Sequence, residues 1–267
     1  MRKRFTPKGG FLLSLTLLRD RVKSFKKYPF SIPAVRKLRT LRFDPHVTFL
    51  VGDNGTGKST LIEAIAVAAG FNAEGGTKNF KFSTRSSESE LHGALRIARG
   101  DRRERDGFFL RAESLFNVAT QIEELDREEG MGPPIINSYG GTSLHEQSHG
   151  ESFLAIALNR FGRQGLFILD EPEAALSPSR QLAFLRIIDM HVRENGSQFI
   201  IATHSPILMA YPRSTIYLLT TDGMSQIAYE DTEHFQITRG FLNDRAGYLH
   251  HLLDDGGADG SKGPTSG

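Results

Sequence analysis

Residues 47–60 read VTFLVGDNGTGKST, and this stretch decides the fold class. Five apolar or β-branched residues precede Gly52, which predicts a buried parallel β-strand. The residues from Gly52 to Ser59 then fill the spacing G-x-x-x-x-G-K-S/T, and a helix is predicted over 58–70. Strand, glycine-rich loop and helix in this order place backbone N–H groups around phosphate oxygens. The stretch therefore predicts an α/β protein that binds a nucleoside triphosphate.

The residues of this loop have separate expected roles. Lys58 is expected to neutralise the β- and γ-phosphates, and Ser59 to offer its hydroxyl to Mg²⁺. An ordinary glycine turn is the structural alternative, but it would not require a buried strand before it and a helix after it. The residues expected to contact the nucleotide are Asn54, Gly55, Thr56, Gly57, Lys58, Ser59 and Thr60.

Two later apolar stretches, LFILDEPE (166–173) and IIATHSP (200–206), end in polar residues. If both are parallel strands, their carboxyl ends lie where open α/β sheets bind ligands. Asp170 is then expected to hold Mg²⁺ through water, Glu171 to polarise an attacking water, and His204 to donate to the γ-phosphate. The alternatives are an acidic pair that caps the next helix and a structural histidine.

A fourth motif, EQSHGES (146–152), precedes a helix predicted to start near Glu151. Ser148 and Gly150 at the N-terminus of that helix could bind a second phosphate. Serine and glycine are also common in ordinary helix capping. The functional interpretation depends on the order of all four motifs along the chain.

Composition limits the partners and the compartment. The chain contains no cysteine, which excludes disulfides and cysteine-based zinc sites. Its net charge is +2, but residues 1–42 carry 13 Lys+Arg and one acid, or +12, which leaves −10 for the rest. This basic N-terminal region could bind DNA or RNA, and a solvated basic surface is the alternative.

The remaining sequence predicts a single domain over 1–253. A helical lobe over about 71–163 is expected inside it, and the Gly/Ser-rich tail 254–267 is expected to be disordered. The apolar run 11–18 is too short to span a bilayer and predicts a strand, so the chain has no predicted membrane span and fits a cytoplasmic protein.

Several finer elements are also predicted. They are an antiparallel ribbon over 28–43, strands at 90–100 and 107–114 around a charged turn, an acidic helix over 114–130, a mobile loop over 131–143, a hairpin over 214–231 and a last helix over 238–253.

The motif set resembles that of ABC-type ATPases. GDNGTGKST is similar to their Walker A motif, SHGES to the signature, LFILDEPEAALSP to Walker B with the D-loop, and IIATHS to the switch histidine. FFLRAES and PFSIPAVRKL resemble small stand-alone AAA/ABC ATPases, some from bacterial defence or toxin systems, which are related to SMC and RecF-like heads. The resemblance implies a P-loop NTPase with a mostly parallel sheet flanked by helices, an N-terminal antiparallel β subdomain and a small helical lobe.

The same resemblance implies ATP and Mg²⁺ as cofactors and an ATP-dependent homodimer. Lys58, Ser59, Asp170, Glu171 and His204 of one chain would face the signature of the other across each of two ATP molecules. The signature residues so implied are Ser148, Gly150 and Glu151. Turnover would drive a nucleic-acid or effector partner.

The sequence also departs from the ABC pattern. Transporter subunits usually read Ser-Gly-Gly-Gln where this chain reads SHGES. No glutamine occurs between Leu61 and Thr120, where ABC proteins usually carry one that senses Mg²⁺, so Asn79 or Gln121 would have to substitute. The candidates for stacking on adenine are Tyr28, Phe30 and Phe43.

Two other functions remain open at this point. An ATP-gated clamp or sensor with slow turnover would use the same residues, and an ATPase rate distinguishes it from a hydrolase. The nucleotide-binding subunit of an ABC transporter would co-purify with a membrane protein.

Overall fold

The computed structural model describes residues 9–78, 90–112, 115–127 and 134–254. Nine strands form two sheets within these residues. The strands are β1 (Leu12–Leu17), β2 (Thr40–Arg42), β3 (Val47–Val51), β4 (Leu95–Arg99), β5 (Asp106–Arg111), β6 (Gly165–Asp170), β7 (Gln198–Ala202), β8 (Ser214–Thr220) and β9 (Gly223–Ile227). The α-helices are α1 (Pro33–Arg36), α2 (Lys58–Ala69), α3 (Leu115–Arg127), α4 (His149–Asn159), α5 (Pro178–Arg193), α6 (Pro206–Met209), α7 (Glu233–Asn243) and α8 (Arg245–Asp254).

The larger sheet has the order β5-β6-β7-β3-β8-β9 and is parallel except for the hairpin β8–β9. Ala202 of β7 pairs with Leu50 of β3 on one side and with Asp170 of β6 on the other. The loops that follow these three strands therefore leave the same edge of the sheet. This confirms the predicted α/β fold and brings the phosphate loop beside the two polar strand ends.

Both faces of this sheet are covered. Every residue of β3, β6 and β7 is buried, as expected for parallel strands between two layers. Helices α3, α4 and α5 pack on one face, through residues such as Val118, Phe153 and Phe184. Helix α2 and the smaller sheet pack on the other face, where Leu50 and Ile65 belong to one apolar cluster.

The smaller sheet is antiparallel, with the order β2-β1-β4. It confirms the predicted N-terminal antiparallel β subdomain, although its third strand comes from residues 95–99. The ribbon predicted over 28–43 is wrong as far as residue 39, and only its end is a strand. Pro33 fixes the first turn of the short helix α1 there, and a strand begins only at Thr40. Strands lie on both sides of the charged turn, but residues 90–94 of the first predicted strand form a 3-10 helix, and β4 and β5 lie in different sheets.

The loop predicted to be mobile over 131–143 is packed where the structure describes it, from residue 134 onward. Tyr139 is buried, and the Asp126 carboxylate accepts from the backbone N–H groups of Ile135 (2.5 Å) and Ile136 (2.9 Å). The apolar residues between the prolines and the glycines pack in or against the core. A high content of Pro and Gly therefore did not indicate a mobile loop here.

The last predicted helix is in fact two helices. Asp244 ends α7, and its carboxylate accepts from the N–H of Gly247 in the first turn of α8 (2.9 Å), as an N-cap aspartate does. The tail predicted to be disordered lies outside the described residues from 255 onward. In the described ranges no helix combines the length and the apolarity needed to cross a membrane. The predicted domain limits stay a prediction.

Candidate functional site

The phosphate loop leaves β3 and enters α2 through two glycines that no other residue could replace without strain. Gly57 has φ 95°, and a Cβ there would lie 2.6 Å from the Ile32 side chain. Gly52 has φ 145°, and a Cβ there would overlap the carbonyl of Leu219. Ile32 and Leu219 lie outside the loop, so the two glycines allow the loop to pack closely against these residues.

Lys58 lies across this loop. Its Nζ donates to the carbonyl oxygens of Gly52 (2.8 Å) and Asp53 (3.0 Å), and the side chain is buried. Burial lowers the pKa of Lys58, while the negative charges of Glu171 and Asp170 act in the opposite direction. An ammonium group is thus held between the glycine loop and the two carboxylates.

The tip of the loop is open. Asn54 and Gly55 are exposed, and Thr56 donates its hydroxyl proton to the carbonyl of Asp53 (2.8 Å). Thr60, on the first turn of α2, shares a hydrogen bond with the hydroxyl of Tyr28 (3.1 Å). A ligand can therefore reach the backbone of the loop from solvent.

Asp170 and Glu171 are neighbours in sequence with different surroundings. Asp170 ends β6 with a side chain that is 6% exposed, and Arg111 Nε lies 3.5 Å from its Oδ2. Glu171 has a left-handed backbone conformation, φ 49° and ψ 52°, which is uncommon outside glycine, and its side chain is 38% exposed. The turn separates the two carboxylates, so that one is buried and the other faces the cavity and solvent.

A cavity of about 220 Å³ lies between these groups. Its lining includes Ser59 and Asp170, whose hydroxyl and carboxylate oxygens are ligands of the kind that Mg²⁺ takes from proteins. No cluster of three or more His, Asp or Glu side chains in the described ranges could hold a metal ion. Two protein oxygens suit a Mg²⁺ that would take its other ligands from phosphates and water. The full lining is Ser59, Arg111, Ala112, His149, Asp170, Glu171, Ala174 and Ala175.

His204 follows β7 and lies between two acidic residues and a second histidine. Its Nε2 is 3.6 Å from Oε1 of Glu171, and its backbone N–H donates to Oε1 of Glu173 (2.5 Å). Its Nδ1 shares a hydrogen bond with Nε2 of His234 (3.0 Å). Burial lowers the pKa of both imidazoles, and nearby Lys58 lowers the pKa of His204 further. Both rings are neutral at pH 7, so one donates to the other.

Three residues of this site were not predicted from the sequence. Arg111 at the end of β5 contacts Asp170, Glu173 supports the loop of His204, and His234 of α7 contacts the His204 ring. Glu173 stands in the quoted LFILDEPE stretch, and its carboxyl pKa is raised by burial. No pattern near His234 indicates its contact, because α7 reaches His204 through tertiary packing alone.

The signature helix α4 begins at His149, two residues before the predicted start. Ser148 donates from its backbone N–H (3.0 Å) and its hydroxyl (2.6 Å) to Glu151, and Arg180 donates to both side chains (3.1 and 3.0 Å). A Cβ on Gly150 would lie 2.7 Å from the Ala175 carbonyl. The motif is therefore a packed helix start with an exposed serine, and His149 of the same chain lines the cavity described above.

The structure distinguishes among the candidates for stacking on adenine and among those for replacing the missing glutamine. Tyr28 is 68% exposed beside the phosphate loop, whereas Phe30 and Phe43 are buried in the apolar cluster under α2. Gln121 lies on α3, where it donates to Glu124 (2.7 Å), and it does not line the cavity. Asn79 lies outside the described residues.

We expect acid to destabilise the folded chain through three histidines, of which one is buried and two are half-buried. Burial lowers the pKa values of His191, His204 and His234, so the unfolded chain binds more protons between their folded pKa values and about 6.5. Their contribution to stability is complete above pH 6.5 and is lost as the pH falls. Thermal unfolding at pH 7.5 and 5.5 should show a lower Tm at pH 5.5, by ~2–4 °C for each kcal/mol lost.

The control for this expectation is a variant of one of the three histidines. His191 packs against Phe161, Phe167 and Phe199, so His191→Phe should reduce the pH dependence by the share of this residue. A wild-type Tm that is equal at both pH values would contradict the expectation.

Comparison with known proteins gives two family models. A model described as "AAA domain" matches residues 21–132, and one described as "AAA domain, putative AbiEii toxin, Type IV TA system" matches residues 135–210. The first range contains the phosphate loop, and the second contains the signature, the two strand-end carboxylates and His204. None of the curated proteins matches the chain.

Solved structures with a similar architecture include three that span most of the chain. CbiO1 of Clostridium perfringens, part of the ABC transporter complex cbiONQ, is 19% identical, covers 82% of this chain and 91% of its own, and gives a TM-score of 0.47. The SMC head domain of Thermotoga maritima is 17% identical, covers 81% of this chain and 98% of its own, and gives a TM-score of 0.41. An ATP-binding subunit of an ABC transporter is 17% identical, covers 91% of this chain and 99% of its own, and gives a TM-score of 0.46. The two AAA-domain matches, the motif set and the sheet order together support a P-loop ATPase fold of the ABC type.

Proposed function

We propose that this chain binds and hydrolyses ATP with Mg²⁺, and that two copies enclose two ATP molecules. The observation that carries the proposal is the cavity at the sheet edge, where Ser59, Asp170 and Glu171 meet beside Lys58. A cation, two oxygen ligands and a separate carboxylate are the groups that phosphoryl transfer to water uses.

Each residue has one role in this proposal. Lys58 binds the β- and γ-phosphates, and Ser59 and Asp170 hold Mg²⁺, which would stabilise the charge of the phosphates. Glu171 is the general base, because its carboxylate is the more exposed of the two at the strand end. His204 donates a hydrogen bond to the γ-phosphate from Nε2, which leaves Nδ1 as the acceptor for His234.

The proposed dimer follows from two incomplete phosphate sites in one chain. The phosphate loop stands at the sheet edge, and exposed Ser148 stands at the N-terminus of α4. A two-fold axis would pair each loop with the Ser148 of the other copy. The alternative is a site completed within one chain, and it is supported by His149, which lines the cavity of its own chain.

The test of the proposed function combines turnover and mass. Wild-type protein is incubated with Mg-ATP, phosphate release is measured, and the molar mass is determined by light scattering with and without ATP. Phosphate release together with a shift from one copy to two supports the proposal. A shift to two copies without steady-state release identifies the slow clamp instead, and no ATP binding at all contradicts the proposal.

We expect Tyr28 to stack on the adenine base. Its ring is exposed beside Thr60, and base–aromatic stacking is worth ~1–3 kcal/mol, which corresponds to a roughly 5- to 150-fold change in Kd. Tyr28→Ala should raise the Kd for ATP within this range. Tyr28→Phe is the control, because it keeps the ring and loses only the hydroxyl contact with Thr60. Equal affinities for ATP in the alanine variant and the wild type would contradict the stacking.

A second candidate activity is nucleic-acid binding that is linked to turnover. Residues 19–42 contain nine Lys or Arg and one acid, and all nine basic residues are exposed. Such a surface binds phosphates in a salt-dependent way. Turnover that rises with duplex DNA at 50 mM salt and loses the rise at 300 mM would support this candidate. The basic residues are Arg19, Arg21, Lys23, Lys26, Lys27, Arg36, Lys37, Arg39 and Arg42.

A further inference from the structure

We propose that Arg111 recognises the terminal phosphate of ATP and so distinguishes ATP from ADP. The proposal rests on the proposed ATP site and adds to it a cation from the FFLRAES stretch (108–114), to which the sequence alone assigned no role. Arg111 ends β5, at the edge of the sheet, and it lines the cavity with Ser59, Asp170 and Glu171.

The sheet register brings Arg111 to this place. β5 pairs with β6 in parallel, and Arg111 is the partner of Asp170 in the last pair of the two strands. A long side chain at the end of β5 therefore leaves the sheet beside the strand-end carboxylate. The exposed fraction of its side chain is 21%.

Two acidic side chains hold the guanidinium group in position. Arg111 Nη1 donates to Oε2 of Glu63 (2.9 Å), and Nε lies 3.5 Å from Oδ2 of Asp170. Glu63 lies one helical turn after Ser59 on α2, so Arg111 connects the helix of the phosphate loop with the end of β6. Both of the elements that hold the cation are elements that bind the nucleotide in the proposed function.

The arginine also has hydrogen-bonding capacity that this arrangement leaves unused. Its Nε is buried, and the contact of Nε with Oδ2 of Asp170 (3.5 Å) is an ion pair without a hydrogen bond. The guanidinium group has five N–H donors, so a phosphate oxygen in the cavity could accept from an N–H that Glu63 and Asp170 do not engage. The planar, permanently charged guanidinium group suits phosphate better than an ammonium group does.

The charges around the cavity favour the same ligand. Asp170 and Glu171 line the cavity, and the ammonium group of Lys58 donates to the loop carbonyls. A terminal phosphate that enters beside Asp170 and Glu171 meets two carboxylates, and Arg111 is a cation that lines this part of the cavity. Because ADP lacks the terminal phosphate, removal of Arg111 should weaken ATP binding and leave ADP binding nearly the same.

The alternative is that Arg111 serves as a structural ion pair between α2 and β6. In that case, breaking the pair from either side has the same effect. Glu63→Gln is the matched control, because it removes the partner charge, keeps an acceptor oxygen for Arg111 and leaves the arginine in the cavity.

The experiment compares wild type, Arg111→Met, Arg111→Gln and Glu63→Gln in three measurements. These are the Kd for Mg-ADP, the Kd for an ATP analogue with a β,γ-imido bridge, and the Tm without nucleotide. We expect Arg111→Met to weaken binding of the ATP analogue at least ~10-fold and binding of ADP less than ~2-fold, because only the analogue carries the terminal phosphate group. Arg111→Gln should recover part of the affinity, since an amide can still donate a hydrogen bond. Glu63→Gln should keep the wild-type ratio of the two Kd values.

Three outcomes separate the explanations. If Arg111→Met changes the Kd values for both nucleotides equally, or changes neither and lowers only the Tm, Arg111 is a structural residue and the proposal is overturned. If Glu63→Gln alters the Kd ratio as much as Arg111→Met does, the ion pair is what matters, and the proposal is likewise overturned. If wild type binds neither nucleotide, the proposed function itself fails, which is a different result from both.

Discussion

Replacing Glu171 by glutamine should lower ATP turnover about 10²- to 10⁴-fold, the usual contribution of a general base, and should leave the Kd for ATP within about twofold. The amide has the shape of the carboxylate but cannot accept a proton from water. The left-handed backbone of Glu171 and its 38% exposed side chain place this carboxylate at the cavity, while Asp170 stays buried. Phosphate release at saturating ATP and a separate binding titration measure the two quantities.

The control for Glu171→Gln is Glu194→Gln, an exposed carboxylate at the end of α5. It should keep the wild-type rate. Glu171→Gln should bind ATP without hydrolysing it. This variant should therefore accumulate as the ATP-bound dimer under conditions in which wild type dissociates. Turnover of Glu171→Gln within threefold of wild type would show that another group activates the water.

Removing the ammonium group with Lys58→Ala should weaken ATP binding roughly 100-fold, or about 2.7 kcal/mol, and should abolish measurable turnover. Lys58 Nζ donates to the carbonyls of Gly52 and Asp53, so the loop loses two hydrogen bonds as well as a charge. Titration of ATP at low ionic strength measures the loss. Lys37→Ala, at an exposed lysine with a long ion pair to Asp222 (3.7 Å), is the matched control and should bind ATP as wild type does. ATP affinity that is unchanged in Lys58→Ala would contradict the phosphate-binding role.

The parts of the site that local sequence encodes could be predicted. Apolar runs that end in Gly52, Asp170 and His204 predict parallel strands, and parallel strands bring their carboxyl ends to one edge. The roles of these residues stay predictions, but their common location follows from the pattern of the chain.

The parts that depend on distant packing could not be predicted. His234 reaches His204 across 30 positions, and Arg111 meets Glu63 across 48. The charged turn after β4 suggested a hairpin, yet β4 and β5 diverge into two sheets, and this divergence places Arg111 beside Asp170. Residue type alone likewise does not show that Tyr28 is exposed while Phe30 and Phe43 are buried.

The central claim is that two copies of this chain complete each other's ATP sites, and mixing two inactive variants tests it most directly. Lys58→Ala lacks a working phosphate loop, and Ser148→Arg blocks the exposed serine of the signature; the Tm of each variant confirms that it folds. In a mixed dimer, the intact loop of one variant faces the intact signature of the other. An equimolar mixture should therefore recover about a quarter of the wild-type turnover, because half of the dimers are mixed and each has one intact site. A mixture that forms mixed dimers but has no more activity than the two variants apart would contradict the claim and would favour a site completed within one chain.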